Sequence, residues 1–312
     1  MVKQEFTFPS TDGVTAIHAV EWLPEGKTKA VLQISHGVAE YILRYAPLAE
    51  YLTGRGFAVV GSDHLGHGLS VAPGAARLYF GPKGDWDTVV DDLYAFRTME
   101  GRKFQALPYF LLGHSMGSFL ARTYLIRYPG TVDGAIVMGT GQMAPALVRA
   151  ARLVAAAETR RLGAEKTSPI VTKLAFETYN RIFAPNRTGY DWLSVDEANV
   201  DAYVSDPLCG GSASIGLFRE MLEGIRLIEK QSNVEKMNLR LPVLFLSGAM
   251  DPVGECGKGV RRAYRSFQRA GVRDVELKLY AGARHEILND FCKDEVYRDL
   301  SAWLEARIPV YA

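Results

Sequence analysis

Ser115 stands in Gly113-His114-Ser115-Met116-Gly117, after the apolar run Tyr109-Phe110-Leu111-Leu112 and before helix-compatible residues from Ser118 to Arg127. Gly-x-Ser-x-Gly at a strand-to-helix junction is the pattern of a sharp turn that holds a serine hydroxyl clear of a sheet. The glycines answer a steric demand, since a Cβ at Gly113 or Gly117 would press on the neighbouring strand or helix. The hydroxyl is left beside the positive end of a helix. A serine is a poor nucleophile until a base takes its proton, and that base needs an acid to orient it. In this strand–turn–helix arrangement the chain order is Ser, then Asp or Glu, then His. His18, His36, His64, His67 and His114 all precede Ser115, and only His285 follows it, in a small-residue loop after Tyr280. Asp251, just past the apolar run Val243–Ser247, is the acid expected to leave a strand end between them.

Acyl transfer also needs donors for a developing oxyanion, each worth on the order of 3–4 kcal/mol. The residue after the nucleophile supplies one, the Met116 N–H. The other should come from His36-Gly37-Val38, which follows the apolar run Ala30–Ser35, with the Val38 N–H as donor. Gly37 lets that backbone pass close to a substrate.

The elements that must position these groups are legible as short buried strands alternating with helices. Glu5–Phe8 and Thr15–Trp22 flank a Ser-Thr-Asp-Gly turn and read as an opening hairpin. Phe57–Gly61, Ala135–Met138 and Val275–Tyr280 are further strands. Helices are expected over Ala46–Arg55, from an Asp85 cap to about Met99, near Lys258–Ala270 and near Lys293–Ala306. That alternation argues for an α/β fold, a mostly parallel sheet covered on both faces. It breaks down after Gly141. Residues 142–211 read as helical pieces interrupted by Pro169, Pro185 and Pro207, and so as a helical cap inserted between core segments 1–141 and 212–312.

Composition narrows the partners. Lys and Arg number 36 against 35 Asp and Glu, so no global field draws in nucleic acid or anionic membrane. The insertion is lopsided: residues 143–173 carry six basic side chains against two acidic, and residues 174–210 carry two against six. A lid whose basic half makes transient membrane contact is one reading, and a solvated helix face is the other, favoured here. The start turns polar at once and no apolar run approaches membrane-spanning length. Cys209, Cys256 and Cys292 form no C-x-x-C, which fits reduced thiols in a cytoplasm. No metal or cofactor is implied.

Taken together, His36-Gly37-Val38-Ala39-Glu40 with Arg44-Tyr45, Asp63-His64-Leu65-Gly66-His67-Gly68-Leu69-Ser70 and the Ser115 pentapeptide with Ser118 make an ordered set. Tyr203–Leu208, Ser247–Pro252 and Tyr280–Glu286 complete it. The set resembles the monoacylglycerol lipase and lysophospholipase group of α/β-hydrolases, whose relatives include proteins labelled serine aminopeptidases. The resemblance implies an α/β-hydrolase fold with a helical cap, a Ser115–Asp251–His285 triad, and a small lipid ester with one long acyl chain as substrate. It also places Glu40, Arg44, His114 and Tyr203 around the glycerol end of the substrate. Glu40 and Arg44 could equally be an i,i+4 ion pair bracing the oxyanion loop, and His114 and Tyr203 could pack under the cap. A peptidase or general carboxylesterase using the same triad, and a binding module that has lost its chemistry, remain as alternatives.

Overall fold

The computed structural model describes residues 1–174 and 178–309. Glu177, counted above among the acidic residues of the insertion, lies outside them. Eight strands form one sheet: β1 Val2–Pro9, β2 Ala16–Leu23, β3 Ala30–Ser35, β4 Phe57–Ser62, β5 Tyr109–His114, β6 Gly134–Met138, β7 Val243–Gly248 and β8 Val275–Tyr280. Their spatial order is β1-β2-β4-β3-β5-β6-β7-β8. The expected hairpin is β1–β2; it pairs antiparallel within itself and with β4, and every other pairing is parallel.

The central strands are largely apolar because each feeds two cores. Tyr109 and Leu111 of β5 point into one core, with Val137 of β6 and Phe245 of β7. Phe110 and Leu112 point into the other, with Met138 and Leu246. Helices α1 Ala46–Thr53, α2 Trp86–Lys103 and α3 Met116–Arg127 cover the first half of the sheet. Asp85 caps α2 by accepting the Thr88 N–H, and Thr88 returns a bond to the Asp85 backbone.

Between β6 and β7 the described residues are helical or irregular. α4 Pro145–Leu162, α5 Pro169–Thr172, α6 Thr178–Asn180 and α7 Glu197–Ser205 come first, then α8 Ile215–Glu229 and α9 Gln231–Val234. α10 Lys258–Ala270 and α11 Lys293–Glu305 complete the second half, with bounds within a residue of those read from the sequence. α8 is the element that reading left unnamed. Ser214 caps it, and Phe218, Met221, Leu222 and Ile225 form a buried face that packs on both α3 and α4. It thereby joins α4 to the sheet-covering layer. Among the described residues, no helix is long and apolar enough to cross a membrane.

Candidate active site

The β5–α3 junction holds Ser115 at φ +54° and ψ −122°, backbone that an L side chain occupies only under strain. Its N–H donates to the Met138 carbonyl at 3.0 Å. The Ser118 hydroxyl donates to the Ser115 carbonyl at 2.6 Å. The steric demand on the glycines is met here: a Cβ on Gly113 would stand 2.3 Å from the Gly117 carbonyl oxygen, and one on Gly117 would stand 2.0 Å from that of Ser35.

Strands β7 and β8 deliver the other two candidates. Asp251, fully buried, lies 3.0 Å through Oδ1 from His285 Nδ1. Its Oδ2 accepts the Ser247 hydroxyl at 3.1 Å, and Oδ1 also takes the Val253 N–H at 2.9 Å. A carboxylate only accepts, so His285 carries its proton on Nδ1 and leaves the Nε2 lone pair free. The His285 ring packs between Trp192, with centroids 5.0 Å apart, and His114, at 4.8 Å. Ser115 and His285 line one chamber. Theirs is the one link not closed by a hydrogen bond among the described residues, a looseness common before substrate arrives.

Val38 and Met116 sit with Ser115 in the wall of an adjoining cavity. Their N–H groups have no acceptor among the described residues. Gly37 is required by contact, since a Cβ there would come within 2.5 Å of Glu40 Oε1 and 3.0 Å of Ser115 Cβ.

Glu40 is the hub of the loop. Oε1 accepts from the Gly37 N–H at 2.6 Å, the Tyr45 hydroxyl at 2.9 Å and His114 Nδ1 at 3.1 Å. Oε2 accepts from Arg44 Nη1 at 3.1 Å. Arg44 also grips both oxygens of Glu286, at 2.6 and 2.9 Å, and Asn199 donates to Glu286 at 2.9 Å. Burial alone would raise the Glu40 pKa, but His114 and Arg44 outweigh it and hold the carboxyl well below its usual range. Burial likewise opposes charge on His114, yet Glu40 raises its pKa. With Glu40 on Nδ1 and the His285 carbonyl 3.3 Å from Nε2, the imidazolium satisfies both contacts. The Tyr203 hydroxyl donates to the Ala39 carbonyl at 2.8 Å, and its ring lies under the Arg44 guanidinium at 4.9 Å.

So the structure brings Glu40, His114 and Tyr203 to the chamber wall and sets Arg44 behind it. Glu286 and Trp192 join them there. Glu286 had a signal, an acid directly after His285, whereas Trp192 is one of several aromatics between residues 142 and 211 with no spacing that marks it. The His-rich motif braces the same loop from below. His36 Nε2 accepts the His64 N–H at 2.9 Å, and Asp63 takes the Ile42 and Leu69 N–H groups and His18. Burial pushes the His67 pKa down to about 3, so that ring is neutral.

Two cavities therefore meet at Ser115. One, of about 180 Å³, has the polar groups just described in its wall beside apolar and aromatic side chains such as Val38, Tyr190, Trp192 and Leu193. The other, of about 260 Å³, runs between α3, α4 and α8 and is lined chiefly by apolar side chains.

The model of the family described as serine aminopeptidase, S33, matches residues 26–291. The human monoglyceride lipase is 29% identical over 290 residues, covering 92% of this chain and 86% of its own length. The monoacylglycerol lipase of Mycolicibacterium smegmatis is 26% identical over 315 residues, covering 98% of each chain. Among solved structures, a thermostable carboxyl esterase from Bacillus coagulans in complex with glycerol superposes with a TM-score of 0.92 at 27% identity, covering 99% of this chain and 100% of its own. An eight-stranded sheet of this order, the serine elbow and a family match over most of the length agree: the chain belongs to the serine aminopeptidase S33 family and has the α/β-hydrolase fold.

Proposed function

We propose that the protein is a monoacylglycerol lipase-like serine esterase, hydrolysing small lipid esters of one long acyl chain, monoacylglycerols or lysophospholipids, through an acyl-enzyme on Ser115. The observation that carries this reading is the position of Ser115 between the two cavities. An ester with an apolar acid and a small polar alcohol fits across that boundary, its chain beside α8 and its alcohol toward Glu40, His114 and Tyr203. The names of the relatives agree.

In this account His285 Nε2 takes the Ser115 proton as Oγ attacks the ester carbonyl, and Asp251 holds and stabilises the imidazolium. The Val38 and Met116 N–H groups receive the oxyanion. Collapse expels the alcohol with the proton from His285, and water repeats the sequence on the acyl-enzyme. Arg44 acts indirectly, by fixing Glu40 and Glu286. Residues 142–211 act as a cap over the site. Exposed Leu153, Ile170, Leu174 and Ile182 are the groups of the cap that would touch a lipid surface transiently. The three thiols are free, in keeping with a cytoplasmic setting.

The family's label raises the peptidase reading. An aminopeptidase needs a carboxylate for the substrate ammonium, but Glu40 and Glu286 are both committed to Arg44. The test is a hydrolysis panel of monoacylglycerols, lysophospholipids, simple esters and aminoacyl amides. Long-chain esters should lead, and faster amide release on matched substrates would overturn the assignment.

A further inference from the structure

Glu229 is the one charged side chain in the wall of the apolar cavity among the described residues. It ends the α8 face formed by Phe218, Met221, Leu222 and Ile225, eleven residues or about 16 Å of helix. Its Oε1 accepts the Met143 N–H, and Oε2 has no hydrogen-bond partner among the described residues. Neither nearby guanidinium group is hydrogen-bonded to Glu229 among the described residues, although Arg122 Nε is buried with no partner among them. Arg122 donates to the Gly141 carbonyl at 2.9 Å and the Thr140 hydroxyl at 3.3 Å, and Arg262 is bound to the Gln142 carbonyl and Glu255. Burial pushes the Glu229 pKa up, with the Met143 bond and both arginines pulling it partly back. Glu229 is half-buried, and a plain alkyl chain filling this cavity would take water from its carboxyl without pairing it, which is costly for a polar group.

We propose that Glu229 is a specificity-determining residue that selects acyl chains bearing a hydroxyl group, its Oε2 accepting the hydrogen bond from that hydroxyl. The inference rests on the ester-hydrolase reading above and names its substrate class more narrowly. The placement of the hydroxyl follows from the helix. Arg122 stands seven residues past Ser115 on α3, about 10 Å along the axis, and binds the same strap, residues 140–143, that Glu229 holds through Met143. The hydroxyl therefore belongs well beyond the carbons next to the ester.

The experiment measures kcat/KM for monoacylglycerols of one chain length, plain or with a single hydroxyl stepped along the chain. The native protein should show one favoured position, about tenfold above its neighbours, the effect of a hydrogen bond of ordinary strength. Glu229→Leu should erase that maximum, while Glu229→Gln, whose one oxygen can still take the Met143 N–H and whose amide NH2 can donate to the hydroxyl oxygen, should retain part of it. A profile for the native protein that is flat or falls steadily overturns the proposal whether or not the leucine variant folds. Hydrolysis of the plain ester with such a profile defeats the proposal alone. Failure to hydrolyse any of the esters, with no fluorophosphonate labelling, defeats the esterase reading and the proposal together.

Discussion

The two cavities that meet at Ser115 are built by opposite means. Around the polar chamber the charged groups are spent on one another: Glu40 gathers four donors, and Glu286 takes Arg44 with both oxygens and Asn199 besides. The apolar cavity is a gap between three helices, and its one carboxyl among the described residues, on Glu229, has a single hydrogen bond among them. The difference separates two jobs. Burying a chain supplies affinity, at about 0.8 kcal/mol per methylene, and needs only matching shape. Holding donors where charge will develop needs groups already fixed before substrate arrives, and the interlocked side has that property.

The largest effects should come from the shared boundary. Ser115→Ala should lower kcat by about 10³-fold or more without loss of thermal stability, and Asp251→Asn and His285→Ala should each cut it steeply. The Asp251→Asn/His285→Ala double variant should lose far less than the product of the single losses; multiplicative losses would separate the two residues.

Next is Glu40→Gln, which leaves His114 and Arg44 without their shared carboxylate. Breaking a buried ionic cluster of this kind costs about 3 kcal/mol, read as a lower denaturation midpoint, and activity should fall on every ester because the loop proposed to hold the oxyanion loosens. Stability equal to the native protein would mean the polar wall is not interlocked.

Tyr203→Phe should cost about 1 kcal/mol, the net worth of one hydrogen bond. Its hydroxyl proton is committed to the Ala39 carbonyl, so kcat/KM should fall equally on a monoacylglycerol and on the methyl ester of the same acid. A loss confined to the monoacylglycerol would assign the hydroxyl to the substrate's alcohol.

The smallest effect contrasts the two carboxyls by pH. The Glu40 pKa is lowered on folding from 4.5, so its charge adds stability that is present above pH 4.5 and lost as pH falls below it. The Glu229 pKa is raised from 4.5, so the native protein loses stability as pH climbs from 4.5 through the folded value. Glu229→Gln should thus gain on the native protein over that rise, while Glu40→Gln should trail it throughout neutral pH. Urea melts between pH 4 and 8 measure both, and the same sign for the two would break the contrast.

What the sequence shows depends on how local the cause is. The elbow is five consecutive residues with a steric reason for each glycine, and β5 before it is a continuous apolar run because both faces are buried. His285 follows from chain order alone. The Arg44–Glu286 pair joins residues 242 positions apart, and no local period encodes it. Helix α8 has its apolar spacing from Ile215 to Ile228 in the sequence, although no helix was expected there. Glu229, an acid at a helix end, looks like any solvated residue until α3 and α4 close around it.

In the proposed reaction Ser115 divides an acyl side from an alcohol side. The direct measurement is a crystal structure of the adduct formed with a long-chain alkyl fluorophosphonate. Phosphorus should be bonded to Ser115 Oγ, with its oxygen near the Val38 and Met116 N–H groups and the alkyl chain between α3, α4 and α8. A chain lying among Glu40, His114 and Tyr203, or an adduct on another residue, would contradict it.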